Sequence, residues 1–242
     1  MRGDALSGAR VCVTGANRGL GKALVAAALE RGASRVYAAV RDPALLAGHD
    51  ERIVPVALDL TDHAAIAAAA ERCGACDILV NNAAFLANMS ALRAETLDDA
   101  RREMDTNYFG LAAMTRAFAP VLEARRGTMI NILSMGALAT VPFAGSYCAS
   151  KAAAWSLTQG AHAELKGRVR VMAVFPGPIA TEMARESERD GRALPQDVAA
   201  AIFDALAGDA DTVFPDPVSR RVANVLGETA TRLPTLFAAK IQ

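Results

Sequence analysis

The chain has 242 residues, enough for one α/β domain or two small ones, and its 52% hydrophobic content excludes a disordered chain. Lys+Arg and Asp+Glu are both 26, so the formal charge is zero and nothing points to nucleic acid or an anionic membrane surface. No apolar run reaches the ~18 residues that span a bilayer. Met1-Arg2-Gly3-Asp4 also lacks the apolar core of a signal peptide, so the expectation is a cytoplasmic protein.

Arg10 to Thr14 is a short apolar strand that runs into Gly15-Ala16-Asn17-Arg18-Gly19-Leu20-Gly21. A helical stretch with Leu24, Ala28 and Leu29 follows and stops at Arg31-Gly32, where glycine suits a left-handed helix end. Ser34 to Arg41 is a second strand, so the first forty residues read as a βαβ unit with a right-handed crossover. Ile53 to Leu60 is a third strand, ending in Asp59-Leu60. Asp62 is placed to cap the alanine-rich helix that follows. Asp77 to Ala83 is the fourth, apolar and then abruptly polar at Asn81-Asn82.

A long helix begins at Thr96 or Asp98 and reaches Glu123, with a stripe of Met104, Tyr108, Leu111, Thr115, Phe118 and Leu122. Gly127 ends it, and Thr128 to Leu133 is a strand. A helix from Tyr147 to about Lys166 precedes the strand Val169 to Phe175, which closes on Pro176-Gly177-Pro178. Thr181 to Arg192 is polar and charged, a mobile segment or short helix. Pro195 opens a helix through Leu206, Thr212 to Phe214 is a last short strand, and the tail from Val218 looks helical until Pro234. Without repeats or a linker, residues 1–242 read as one doubly wound α/β domain of about seven strands, a parallel sheet with helices on both faces. Cys73-Gly74-Ala75-Cys76 is a CxxC, but no second CxxC or spaced histidine pair accompanies it. It reads as a helix-to-strand connection, with no metal site.

Two features carry chemistry. Gly15-x-x-x-Gly19-x-Gly21 lies between a strand and a helix, where glycines let the backbone approach a pyrophosphate and the helix N-terminus offers unpaired N–H groups. Tyr147 and Lys151, four apart, share one helix face. A phenol beside an ammonium is an acid/base device for an alcohol or ketone. Ser134 stands thirteen residues upstream, at the end of the apolar run Met129 to Leu133.

Thr14-Gly15-Ala16-Asn17-Arg18-Gly19-Leu20-Gly21 resembles the TGxxxGxG signature of the short-chain dehydrogenases/reductases. Asn81-Asn82-Ala83-Ala84 resembles that family's NNAG, with Ala84 in place of glycine, and Tyr147-x-x-x-Lys151 its active-site pair. The resemblance runs from about Gly8 to Pro217. It implies that Tyr147 exchanges a proton with the substrate oxygen, that Ser134 positions and polarises that oxygen, and that Lys151 lowers the tyrosine pKa and meets the nicotinamide ribose. Asn107 would hold a water linking Lys151 to solvent. It implies a cofactor site of Gly15, Asn17, Arg18, Gly19, Leu20, Gly21, Arg41, Asp59, Leu60, Asn81 and Ala83, with Tyr147, Lys151, Pro176, Ile179 and Thr181 at the nicotinamide end.

An NAD site of this kind places a carboxylate at the end of the second strand. That position is Val40, followed by Arg41, with Arg18 in the glycine turn, so the expected cofactor is NADP(H). Phe85, Leu86, Met135, Phe143 and Ile179 would surround the substrate and favour a hydrophobic carbonyl. The expected function is that of a carbonyl reductase or alcohol dehydrogenase on a small-molecule substrate. Two alternatives are a non-catalytic dinucleotide sensor and a sugar-nucleotide epimerase or dehydratase; the latter carries a larger C-terminal domain than the sixty-odd residues after Pro178. The helix after Tyr147 is apolar around most of its circumference, and the helix before it carries Phe109, Ala113 and Ala117 off its stripe. With the family resemblance this implies a homo-oligomer, a tetramer or a dimer.

Overall fold

The computed structural model describes residues 6–46, 50–87, 90, 94–182 and 191–226. Seven parallel strands form one sheet: β1 (Arg10–Thr14), β2 (Arg35–Val40), β3 (Ile53–Ala57), β4 (Ile78–Asn81), β5 (Thr128–Ile132), β6 (Arg170–Val174) and β7 (Thr212–Val213). Their order is β3-β2-β1-β4-β5-β6-β7. Helices α1 (Gly19–Glu30), α2 (His63–Arg72), α3 (Asp98–Met104), α4 (Leu111–Arg125), α5 (Gly145–Glu164) and α6 (Pro195–Asp204) cover it, and residues 217–226 add a last helical stretch, α7.

The two faces follow from the period of two along each strand. Val11 and Val13 of β1 pack with Leu24 of α1 and Val198 and Ile202 of α6. Cys12, between them, faces the opposite core with Ile66 of α2 and Phe118 and Leu122 of α4. Buried on both faces, the strands read as apolar runs rather than alternating ones. Strand order reverses beside β1, so the exits of β1 and β4 open a crevice at the sheet's C-terminal edge, where such sheets bind ligands. Three expected strands are shorter than their apolar runs. Asp59-Leu60, Asn82-Ala83 and Leu133 leave the ladder and turn into that crevice.

Local signals mostly act as expected. The Asp62 carboxylate accepts from the N–H groups of Ala64 and Ala65 at 2.9 and 3.1 Å, and Gly32 takes φ +85° after α1. The left-handed residue after α4 is Arg126 (φ 48°), whereas a side chain at Gly127 would run into the Asp77 carbonyl.

The long helix is a correction. A π-turn, Asp105–Gly110, interrupts it between α3 and α4. From Leu111 onward the expected stripe is buried, but before it Glu103 and Asn107 are buried in place of Met104 and Tyr108. The apolar pattern misplaced that turn by one residue because the buried face there is polar. Cys12, Cys73 and Cys76 are free thiols packed together in the core. Burial pushes the Cys76 thiol up to about 12, and the Cys73 contact with burial raises Cys12. No helix among the described residues is long and apolar enough to cross a membrane. The expected polar segment after Thr181 and the end of the tail fall largely outside the described residues.

Candidate active site

The crevice is a cavity of about 1110 Å³ running from the glycine turn to the N-terminal end of α5. At its first end Gly15 and Gly19 have φ of +67° and +52°, which side chains rarely adopt. A Cβ on Gly21 would collide with the Gly15 carbonyl, so the first turn of α1 closes directly on the loop. The turn is cross-braced to β4. Asn82 donates its side-chain N–H to the Thr14 carbonyl at 2.8 Å, and Thr14 Oγ1 accepts from the Asn82 and Ala83 N–H groups, each at 2.9 Å. Gly15 N–H donates to the Ala39 carbonyl at 2.8 Å, which ties the turn to the end of β2.

Val40, Arg41 and Asp42 line the cavity beside this turn. Arg18 also lines it and pairs with Glu182 at 2.8 Å, both side chains more than half exposed. Asp59 faces the cavity, but its carboxylate is engaged in a local turn, accepting from Thr61 N–H and Oγ1 at 2.9 and 2.7 Å. Those bonds hold its pKa below the usual value.

At the far end the exit of β5, the start of α5 and the stretch after β6 converge. Ser134 leaves β5 as the cap of a short 3₁₀ turn, its Oγ accepting from Gly136 N–H at 3.0 Å. Tyr147 and Lys151 come from the first turns of α5. Pro176 to Ile179 closes the wall, held by the Met135 N–H bond to the Pro176 carbonyl at 3.0 Å. Lys151 is 4% exposed and donates Nζ to the Ile132 carbonyl at 2.9 Å. Burial lowers its pKa to about 8. Its Nζ lies 5.8 Å from the Tyr147 ring centroid.

Burial is also the largest influence on Tyr147 and pushes its phenol above the ordinary value. The Ser134 hydroxyl opposes this by hydrogen bonding, and the nearby Glu103 carboxylate adds to the rise. Of these influences desolvation is the largest.

Of the expected site residues, Gly15, Asn17, Arg18, Gly19, Leu20, Gly21, Arg41, Asp59, Leu60, Ala83, Ser134, Tyr147, Lys151, Pro176, Ile179 and Thr181 all line this cavity. Asn81 and Asn107 do not. Asn81 points into the core, donating to Asn131 Oδ1 at 2.8 Å, and Asn131 in turn donates to Thr158 Oγ1 at 3.0 Å. Asn107, 3% exposed, has its side chain engaged by protein groups. Its amide N–H groups donate to the Phe85 carbonyl and to Ser150 Oγ at 2.8 and 2.9 Å, and its Oδ1 accepts from Phe85 N–H at 2.8 Å.

Three supports lie outside the expected site residues. Asn82 braces the glycine turn, and Ser150 links Asn107 to the Tyr147 carbonyl through a 2.8 Å bond. Asp216 accepts from Gly177 N–H at 2.7 Å while its other oxygen caps α7 at Val218 and Ser219. Asn82 had a signal in the NNAG-like run and Asp216 in an Asp-Pro ahead of a helical run, whereas Ser150 had none.

The pieces fit a bound dinucleotide: a glycine cradle that a single Cβ would fill, a helix N-terminus behind it, and a lysine and tyrosine at the far end. The family model of short chain dehydrogenases matches residues 9–192. A short chain dehydrogenase from Burkholderia cenocepacia, solved in complex with NADP, is 42% identical with a TM-score of 0.89, over 94% of this chain and 96% of that one. A 3-ketoacyl-(acyl-carrier-protein) reductase from Brucella melitensis, complexed with NADH, is 27% identical with a TM-score of 0.78, over 86% of this chain and 96% of that one. The Anopheles gambiae dehydrogenase/reductase SDR family protein 7-like is 32% identical over 250 residues, covering 90% of this chain and 78% of that protein. With glycine turn, serine, tyrosine and lysine gathered on one cavity of this fold, the chain belongs to the short-chain dehydrogenase/reductase family and is an oxidoreductase.

Proposed function

We propose that the chain is an NADP(H)-dependent carbonyl reductase acting on hydrophobic ketones, and on secondary alcohols in reverse. The observation that carries this reading is the convergence of Ser134, Tyr147 and Lys151 at one end of a cavity whose other end is the glycine turn with Arg41. When bound there, the nicotinamide supplies or accepts the hydride. Tyr147 gives its proton to the carbonyl oxygen. The phenol carries that proton at neutral pH. The Ser134 hydroxyl hydrogen-bonds the substrate oxygen and orients it. Lys151, fixed by the Ile132 carbonyl, holds a donor beside Tyr147 that would meet the nicotinamide ribose. Asn107 fixes α5 and the 85–87 stretch to one another. Phe85, Leu86, Met135, Val141, Phe143 and Ile179 give the substrate end its apolar walls.

The cofactor preference rests on Val40 and Arg41. Val40 offers no acceptor to a ribose 2′-OH, while the exposed Arg41 guanidinium meets a 2′-phosphate with a planar fork of donors. The Arg18–Glu182 pair is solvent-screened, so Arg18 exchanges Glu182 for phosphate at small cost. The Burkholderia relative bound to NADP supports the same reading. Cofactor oxidation with a panel of aromatic and aliphatic ketones, run with NADPH and NADH, tests both parts. No turnover with any ketone sinks the reductase reading, and equal or higher kcat/KM with NADH sinks the NADP(H) reading.

We further propose a homo-oligomer. Ala152 is exposed on α5, Trp155 and Leu157 are half-buried there, and Phe109 is 53% exposed, which leaves apolar surface for a second copy. Light scattering that finds a monomer at micromolar concentration excludes it.

A further inference from the structure

Glu103, on α3, has no exposed surface. Its Oε1 accepts the Ala87 N–H at 2.9 Å, and its Oε2 has no hydrogen-bond partner among the described residues. A carboxylate taken out of water normally gathers several donors, and one left half-paired destabilises the fold. Stability therefore does not explain this residue, and what it holds is more informative.

Ala87 belongs to the irregular stretch 82–87 that leaves β4 and carries Phe85 and Leu86 into the cavity wall. This stretch has no ladder or helix to fix it, so side chains do. Its start is tied by the bonds of Asn82 and Ala83 to Thr14. Its middle is gripped by Asn107, which bonds both backbone groups of Phe85. Its far end is held by Glu103, one helical turn before Asn107 on the same buried face. Arg102 lies over the Phe85 ring, 4.3 Å from its centroid.

We propose that Glu103 is a positioning residue for the carbonyl substrate: by accepting the Ala87 N–H it fixes, with Asn107, the wall made by Phe85 and Leu86. The proposal rests on the carbonyl reductase reading of the cavity. The operative feature is the acceptor oxygen, not the charge, so an amide serves as well. Phe85 and Leu86 belong neither to the glycine turn nor to the Ser134, Tyr147 and Lys151 set. Loosening the wall acts on substrate binding more than on turnover or cofactor affinity.

The test compares Glu103→Gln and Glu103→Leu with the parent enzyme. Five quantities are read: KM and kcat for the best ketone, NADPH dissociation by fluorescence, melting temperature, and amide exchange of a peptide spanning 85–87. Glu103→Gln keeps KM, kcat and exchange at parental levels and melts at the same or a higher temperature. Glu103→Leu raises KM about tenfold and speeds exchange at 85–87, with kcat and NADPH dissociation nearly unchanged.

A Leu variant with parental KM and exchange overturns the proposal. So does a Gln variant as impaired as the Leu one, or a Leu variant that loses NADPH affinity along with ketone affinity. If Glu103→Leu does not fold, Ala87→Pro removes the donor instead and must raise KM in the same way; a parental KM there also overturns it. If the parent reduces no ketone, the reductase reading fails separately, and exchange at 85–87 in the Gln and Leu variants still decides whether Glu103 is the clamp.

Discussion

The two ends of the cavity are built by different means. The glycine end is made largely of backbone from neighbouring positions: residues 14–21 supply the turn, residues 39–42 the rim, and the braces run through main-chain groups and the side chains of Thr14 and Asn82. Its instrument is close approach, and a cradle of N–H groups does not titrate. The tyrosine end is made of side chains from four distant segments, carried on β5, α5, α3 with its π-turn, and the exit of β6. There burial moves two acid/base groups off their ordinary values, Tyr147 upward and Lys151 down to about 8. Binding at the first end should therefore be fragile to added atoms. Chemistry at the second should be sensitive to charge and tolerant of small shape changes.

Substitutions that separate the ends test this division. The largest expected effect is at Tyr147. Tyr147→Phe removes the proton while keeping the ring, so kcat should fall by roughly 10²–10⁴-fold with NADPH dissociation unchanged. A Phe variant that retains most of its turnover takes the chemistry away from this end.

Gly21→Ala is the mirror experiment. The new methyl meets the Gly15 carbonyl and Asn82 Nδ2, and forcing such overlap costs about 1–3 kcal/mol, or roughly 10–10²-fold in cofactor affinity. The Ser134–Tyr147–Lys151 geometry is not touched, so kcat at saturating cofactor should survive. Parental NADPH binding in that variant would contradict the close-packed cradle.

Arg41→Ala should act on the rim of the glycine end alone, raising KM for NADPH about tenfold and leaving NADH nearly unchanged. Equal losses with both cofactors would mean that Arg41 supports the turn rather than a phosphate.

The smallest effect is on stability. The folded pKa of Lys151 lies below its unfolded value of 10.5, so between about pH 8 and 10.5 the unfolded chain binds more protons. Stability from this group rises with pH across that window, and the full cost of the buried ammonium is present below it. At neutral pH that cost is on the order of 3 kcal/mol. Lys151→Met should abolish most turnover yet raise the melting temperature of the cofactor-free protein at pH 7, with the gain shrinking toward pH 10.5. A Met variant less stable at pH 7 would show that the bond to the Ile132 carbonyl outweighs desolvation.

The sequence by itself determined the order of strands and helices, because apolar runs of five or six residues alternate with helical stretches bounded by glycine, proline and Asp62. It also determined the glycine turn, whose function is a matter of backbone and so sits in consecutive residues, and the Tyr147–Lys151 pair, since four residues on a helix is a fixed geometry.

Tertiary structure alone decided the rest. Asn81 and Asn82 are adjacent and chemically identical, yet the strand's period of two turns one into the core toward Asn131 and the other onto the glycine turn. The π-turn at Asp105–Gly110 is not a repeat that apolar spacing reveals. It accompanies the burial of Glu103 and Asn107, polar residues on a face where periodicity looks for apolar ones. The pKa values of Tyr147 and Lys151 were not legible either. Spacing shows that a cation stands near a phenol, but the sign of the shift depends on how much water the fold removes from both, and only the packed protein sets that.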